Sequence, residues 1–290
     1  MEDHRTANGA STQRTDAPQE TPPSSEAPDK EEFVRSLANG LKVLESFAEA
    51  EDPMTLSDVA RRTGLSRAAA RRMLKTLVHL DYASTDGRLF VLTPKVLSLG
   101  VGFWSGNGLH EVLQPLLRSL AAELNESCSA SVLVGDEVVY IARAHTRRIM
   151  RMDLDIGTRL PAFATSMGRV LLGGLDPAER RRLLETADRP ALTPVTRTGV
   201  DELLAIIESA ADQGWTLVDQ ELETGLRSVS APVEHPDRGV VAAINVSVSA
   251  GLETPEQTRD RVLPPLRRAA VEAGRSVAAW ERSTGRPVQG

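Results

Sequence analysis

Apolar positions in the first third of the chain recur at helical spacing. Leu37, Leu41, Leu44 and Phe47 predict a helix over 36–49, which the polar, proline-containing EAEDPM (49–54) ends. Thr55 precedes Leu56, Val59 and Ala60 and has Asp58 three residues on. This capping-box arrangement predicts a helix over 56–63 that Gly64 closes. Ser66 is placed to cap a third helix, whose Ala70, Met73, Leu74 and Leu77 carry it to about Leu80. Two helices across a tight glycine turn make a helix-turn-helix pattern. The stretch ASTDGRLFVLT (83–93) adds two β-favouring runs around Asp86-Gly87, a pair suited to a type I′ turn, and so predicts a wing.

Further on, Pro94 starts a linker helix over 94–106, and helical spacing resumes from His110 to Leu124. Alternation then takes over. SASVLVG (129–135) and EVVYIARA (137–144) predict a strand pair turning at Gly135-Asp136, with IMRMDL (149–154) as a third strand. Helices are predicted over 176–186 and 200–213, and strands at WTLVDQ (215–220), LRSVSAPV (226–233) and VVAAINVSV (240–248). A last helix runs from Pro255 to Trp280. Strands in hairpins, with helices grouped on one face, imply an α+β domain on a mostly antiparallel sheet. The expected organisation is multidomain: a disordered tail (1–32), a mainly α winged helix-turn-helix (33–93), the linker helix (94–106), the α+β domain (107–283) and a disordered end (284–290).

Composition sharpens this division. Residues 1–32 contain no Ile, Leu, Val, Phe, Tyr or Trp, too little apolar surface to offset the entropy of ordering. They hold three Lys/Arg against eight Asp/Glu, whereas 54–95 hold eight against three, so a net charge of −6 conceals a basic module. The tail has neither the basic start nor the apolar run of a secretory signal, and no segment is apolar for long enough to span a bilayer, so a cytoplasmic protein is expected. The single cysteine, Cys128, excludes an intrachain disulfide and lies in an apolar alternating run, where it reads as a core residue. No metal, cofactor or catalytic site is expected.

The basic module concentrates its charge on the third helix. At about 100° per residue, Ala70, Met73, Leu74 and Leu77 share one side, and Arg67, Ala68, Arg71, Arg72 and Lys75 share the other. A solvated helix face would look the same, and the alanine triplet also suits a helix with no partner. The capped helix before it, the glycine turn and the wing favour a major-groove reader. The groove, about 12 Å wide, admits a helix whose small Ala68 allows close approach. Arg67 and Arg71 are expected at base edges and Arg72 and Lys75 at phosphates. Arg88 either reaches the neighbouring backbone or minor groove or is simply an exposed turn residue. Thr55 and Ser66 complete the candidate DNA-binding set.

In this order of elements the chain resembles the IclR family of bacterial transcription regulators. The match rests on TLSDVARRTGLSRAAARRMLKTLVHLDYA (55–83) and DQELETGLRSVSAPV (219–233) and covers about residues 33–283. The stretch HTRRIMRMDLDIGTRLPAFATSMGRVLLGGL (145–175) is most similar to the protocatechuate and 4-hydroxybenzoate regulators of the PcaR, PcaU and PobR type. The resemblance implies a GAF-like effector domain, homodimers or tetramers paired through the DNA-binding half and linker, and a palindromic double-stranded DNA operator. It also implies an effector, a small organic acid such as protocatechuate or 4-hydroxybenzoate, between the sheet and the loop before the ATSMGRVLL helix. Carried over by position, Ile149, Met152, Ser166, Met167, Ser228, Asn245 and Ser247 line that site. Ser228 stands where some members have Cys, and Asn245 where some have Ser, so the pocket agrees in place and differs in ligand.

Independently of the resemblance, a helix starting at Thr165 or Ser166 offers free N–H groups to an anion. Arg147, Arg148 and Arg151 are near in sequence, though solvated strand-edge charges look alike. Asp219, Glu221 and Glu223, lacking a histidine at suitable spacing, read as surface charge or loop hydrogen bonding. Three other readings stay open at this stage: a response to a non-aromatic acid such as glyoxylate or pyruvate, a small-molecule enzyme using Cys128 or a histidine, and a winged helix serving protein contacts.

Overall fold

The computed structural model describes residues 33–48, 50, 52–100, 108–145 and 154–288. They form two compact units that divide between Val96 and Leu97. The boundary expected near Gly106 and all but Leu154 of the strand predicted at 149–154 lie outside the described residues, as do 1–32, and Leu154 is not in a strand.

In the first unit, α1 (Arg35–Glu45), α2 (Leu56–Thr63) and α3 (Arg67–His79) enclose Val43, Val59, Ala60, Ala70, Leu74 and Leu77. The capping box forms: Asp58 N donates to Thr55 Oγ1 at 3.3 Å, and Thr55 N donates to Asp58 Oδ2 at 3.1 Å. Gly64, at φ 68°, turns the chain so that Ser66 can start α3. The hairpin β2 (Ala83–Thr85) and β3 (Leu89–Leu92) follows as expected, but its turn does not. A type I′ turn needs positive φ at both Asp86 and Gly87, and here only Gly87 has it. The Asp86 carboxylate instead accepts from the N–H groups of Arg88 and Leu89, holding the tip from its side chain. A strand too short to show in the sequence, β1 (Met54–Thr55), pairs with Phe90 and Leu89 and completes a sheet of order β1-β3-β2. A 3₁₀ turn, Pro94–Val96, follows, and 97–100 are helical.

The second unit is built on one sheet of order β6-β5-β4-β9-β8-β7, antiparallel at every pairing. Its strands are β4 (Ser127–Val134), β5 (Glu137–Ala144), β6 (Arg159–Pro161), β7 (Thr216–Asp219), β8 (Leu226–His235) and β9 (Gly239–Ser249). Helices cover both faces, not one as the sequence suggested. On one side α4 (Gly108–Leu124) and the long α8 (Pro255–Thr284) pack against Cys128, Ala130, Val229, Ala231, Ile244 and Val246. On the other side α5 (Ser166–Gly173) and α7 (Val200–Gln213), with Leu184 of α6 (Pro177–Thr186), pack around Val138, Tyr140 and Ala243. The chain end read as disordered is held as far as residue 288. Val288 is buried, its N–H donates to Glu281 and its carbonyl accepts from Arg238.

A β-bulge decides which residues of β5 face which side. Ala130 pairs with Ala142 but Ser131 pairs with Tyr140, so Ile141 is the extra residue. Ile141 and Ala142 both join the α4–α8 core, and Tyr140 and Arg143 therefore emerge on the α5 side despite their odd spacing.

Candidate functional site

The third helix presents the face expected of a groove reader. Ala70, Leu74 and Leu77 are buried and Met73 is half-buried, while Arg67, Ala68, Arg71, Arg72 and Lys75 are exposed. Among the described residues none of these four cations, nor Arg88 at the wing tip, is in an ion pair. Uncompensated charge of this kind attracts a polyanion. Ser66 Oγ accepts from Ala69 N at 3.2 Å and keeps its own proton for a further acceptor. Thr55 is differently placed: its hydroxyl donates to Asp58 at 2.6 Å and accepts from Asp58 N, so its side chain is engaged in the cap.

The sheet brings five of the seven candidate effector residues together; Ile149 and Met152, like Arg147, Arg148 and Arg151, lie outside the described residues. Register aligns Ser127, Ser247 and Ser228 in one row across β4, β9 and β8, and Ser129, Asn245 and Ser230 in the next. Asn245 ties the rows, accepting from Ser129 N at 3.1 Å and donating to Ser247 Oγ at 3.1 Å. Above this polar floor, Ser166 Oγ lies 2.8 Å from Ser228 Oγ and 2.6 Å from Ser230 Oγ. Ser131 Oγ donates to the sulfur of Met167 at 3.3 Å. Ser129, Ser131 and Ser230 escaped the sequence reading, although serine at every second position of SCSAS and RSVSA was the signal.

Thr165 caps α5 by accepting from Gly168 N at 3.0 Å. The N–H groups of Ser166 and Met167 have no acceptor among the described residues. Gly168 lets α5 sit directly on the preceding turn, where a Cβ would come within 2.2 Å of the carbonyl oxygen of Ala162.

Of the two readings of the acidic run, hydrogen bonding rather than surface charge holds for Asp219 and Glu221. Glu221 is buried and receives both Nη atoms of buried Arg169, at 2.8 and 2.7 Å, while Arg169 Nε donates to Phe163 O. Asp219 holds Arg227, which also donates to Glu253 O and Thr258 Oγ1. The distinctive DQELETG segment is therefore a brace joining α5 to the sheet edge. Cys128 is a core residue, and burial pushes its thiol up to about 12, which removes Cys128 as the nucleophile of an enzyme reading. Among the described residues no helix is long and apolar enough to cross a membrane.

Known proteins agree with this architecture. Residues 36–87 match the IclR helix-turn-helix domain, and residues 103–275 match the family of the bacterial transcriptional regulator IclR C-terminal domain. The chain is 42% identical over 236 residues to the Pca regulon regulatory protein of Pseudomonas putida, covering 81% of each. A crystal structure from Rhodococcus sp. RHA1 superposes with TM-score 0.73 at 45% identity, covering 86% of this chain and 100% of that one. An Acinetobacter structure, a double mutant of the PobR inducer-binding domain in complex with 3-hydroxybenzoic acid, superposes with TM-score 0.53 at 31% identity, covering 57% of this chain and 97% of that one. Both halves match in the order in which the chain presents them: this protein belongs to the IclR family of bacterial DNA-binding transcription regulators.

Proposed function

We propose that this regulator reads a palindromic operator through α3 and responds to a small aromatic acid held on the serine-rich face of the second unit. The observation that carries the DNA reading is the exposed face of α3, whose cations lack partners while its opposite face is core. Arg67 and Arg71 take base edges, and Arg72, Lys75, Ser66 and Arg88 take phosphates. Ala68 permits the close approach, and Thr55 serves by capping α2. A second copy of the chain supplies the other half-site. The surface for it runs along α1 and the two residues before it, where Phe33, Val34, Leu37 and Leu41 are 52, 59, 62 and 48% exposed. The setting is the cytoplasm, where the DNA is.

The effector reading draws support from the relatives: one is named for the Pca regulon, and one holds 3-hydroxybenzoic acid in its inducer-binding domain. Buried hydroxyls beside the start of α5 suit a ligand that carries both an acid and ring hydroxyls. Such a ligand acts only if it binds the DNA-competent and incompetent arrangements with different affinity. Operator binding tests the first half. Arg71→Ala should weaken it by about 1–3 kcal/mol, and log affinity should fall steeply with log salt; an unchanged affinity removes α3 as the reader. Thermal shift with protocatechuate and 4-hydroxybenzoate tests the second half.

A further inference from the structure

The hydroxyls on the α5 side of the sheet fall into two groups. Ser166, Ser228 and Ser230 satisfy one another. Tyr140 has no such company: it is 4% exposed, and its phenolic O–H has no hydrogen-bond partner among the described residues. Buried tyrosines ordinarily find one. Directly opposite in register, fully buried Ser131 donates only to the Met167 thioether, a weak acceptor. Tyr140 and Met167 belong to the same buried cluster and are linked through Ser131, and at the start of α5 the Ser166 and Met167 N–H groups lack acceptors among the described residues. The bulge in β5 adds the Arg143 guanidinium to this face. The under-satisfied groups here, the Tyr140 and Ser131 hydroxyls and the two N–H groups, can all donate, whereas a ring hydroxyl also wants an acceptor, which the serine trio provides. A carboxylate is acceptor-only and complements the donor set.

We propose that Tyr140 is an effector-contacting residue that sets acid specificity, its O–H joining those of Ser131 and the Met167 N–H on the effector's carboxylate. The assignment rests on the aromatic-acid reading of this face. Burial pushes the Tyr140 phenol up to about 12, so it remains a donor at any working pH.

Titration calorimetry on the full chain tests it, using 4-hydroxybenzoate, protocatechuate and the corresponding amides. Tyr140→Phe should lose roughly 10- to 100-fold in affinity for the acid it binds, with little change for the amide, so that the preference for acid narrows. Its ligand-free melting temperature and operator affinity should match the parent's. If Tyr140→Phe keeps both the affinity and the acid-over-amide preference, the Tyr140 role is wrong and the aromatic-acid reading survives. If the parent protein binds none of these acids, the aromatic-acid reading falls and takes this role with it. Should Tyr140→Phe fail to fold, Ser131→Ala provides the same comparison, and an unchanged acid preference there overturns the assignment.

Discussion

The two faces of the six-stranded sheet are made by the same strands, yet they follow opposite rules. Under α4 and α8 the side chains are small or branched and apolar, and β4, β5, β8 and β9 contribute to one continuous core. Under the start of α5 the alternate positions of β4, β9 and β8 are serines and an asparagine, of which Ser127, Ser129, Ser131, Ser230 and Asn245 are buried almost as deeply and Ser228 and Ser247 are half-buried. Apolar burial stabilises by roughly 25 cal/mol per Å², whereas a buried hydroxyl contributes only when it is bonded. The first face therefore holds the domain together, and the second gives up part of that stabilisation in exchange for directed donors and acceptors. Sites of function are where such departures from a consistent core are expected.

Substitutions test how sharp this contrast is. Glu221→Ala should have the largest effect, about 3–5 kcal/mol in urea unfolding, because it strands the buried Arg169 charge. A loss near zero would mean that the brace is not structural. Leu117→Ala, in the apolar face at 1% exposure, should cost about 2–5 kcal/mol, chiefly through the cavity it leaves. Gly168→Ala should cost about 1–3 kcal/mol, since the new Cβ meets backbone that cannot turn aside, and ligand-induced thermal shift should shrink with it. Ser230→Ala is the mildest, about 1 kcal/mol for one hydrogen bond removed, with Ser166 keeping Ser228 as a partner. Were Ser230→Ala to cost as much as Leu117→Ala, the two faces would not differ in the way described.

Local signals made the first unit legible. Thr55 with Asp58, Gly64 and Ser66 are short-range instructions, and the structure uses each as a cap or turn. The wing turn differed because the Asp86 side chain supplies hydrogen bonds that a sequence pattern assigns to backbone. In the second unit, strand existence followed from alternation, but the division of helices between two faces depends on long-range pairing that alternation does not specify. The bulge at Ile141 was invisible for the same reason: only the partner strand shows that one residue is extra. At Glu221 the sequence allowed loop hydrogen bonding but not the partner, because the compensating Arg169 lies 52 residues away in the chain.

That pairing has a mechanical consequence. Glu221 grips α5 through Arg169, and residues 219–225 run on into β8, whose Ser228 touches Ser166 at the start of α5. Helix, loop and strand thus form a closed linkage, in which a displacement at one corner is transmitted to the other two. On the effector site proposed above, ligand choice lies with the hydroxyls of the floor, while the stiffness of the response lies with one ion pair at the brace. Kept on separate residues, gain and selectivity can be retuned one at a time.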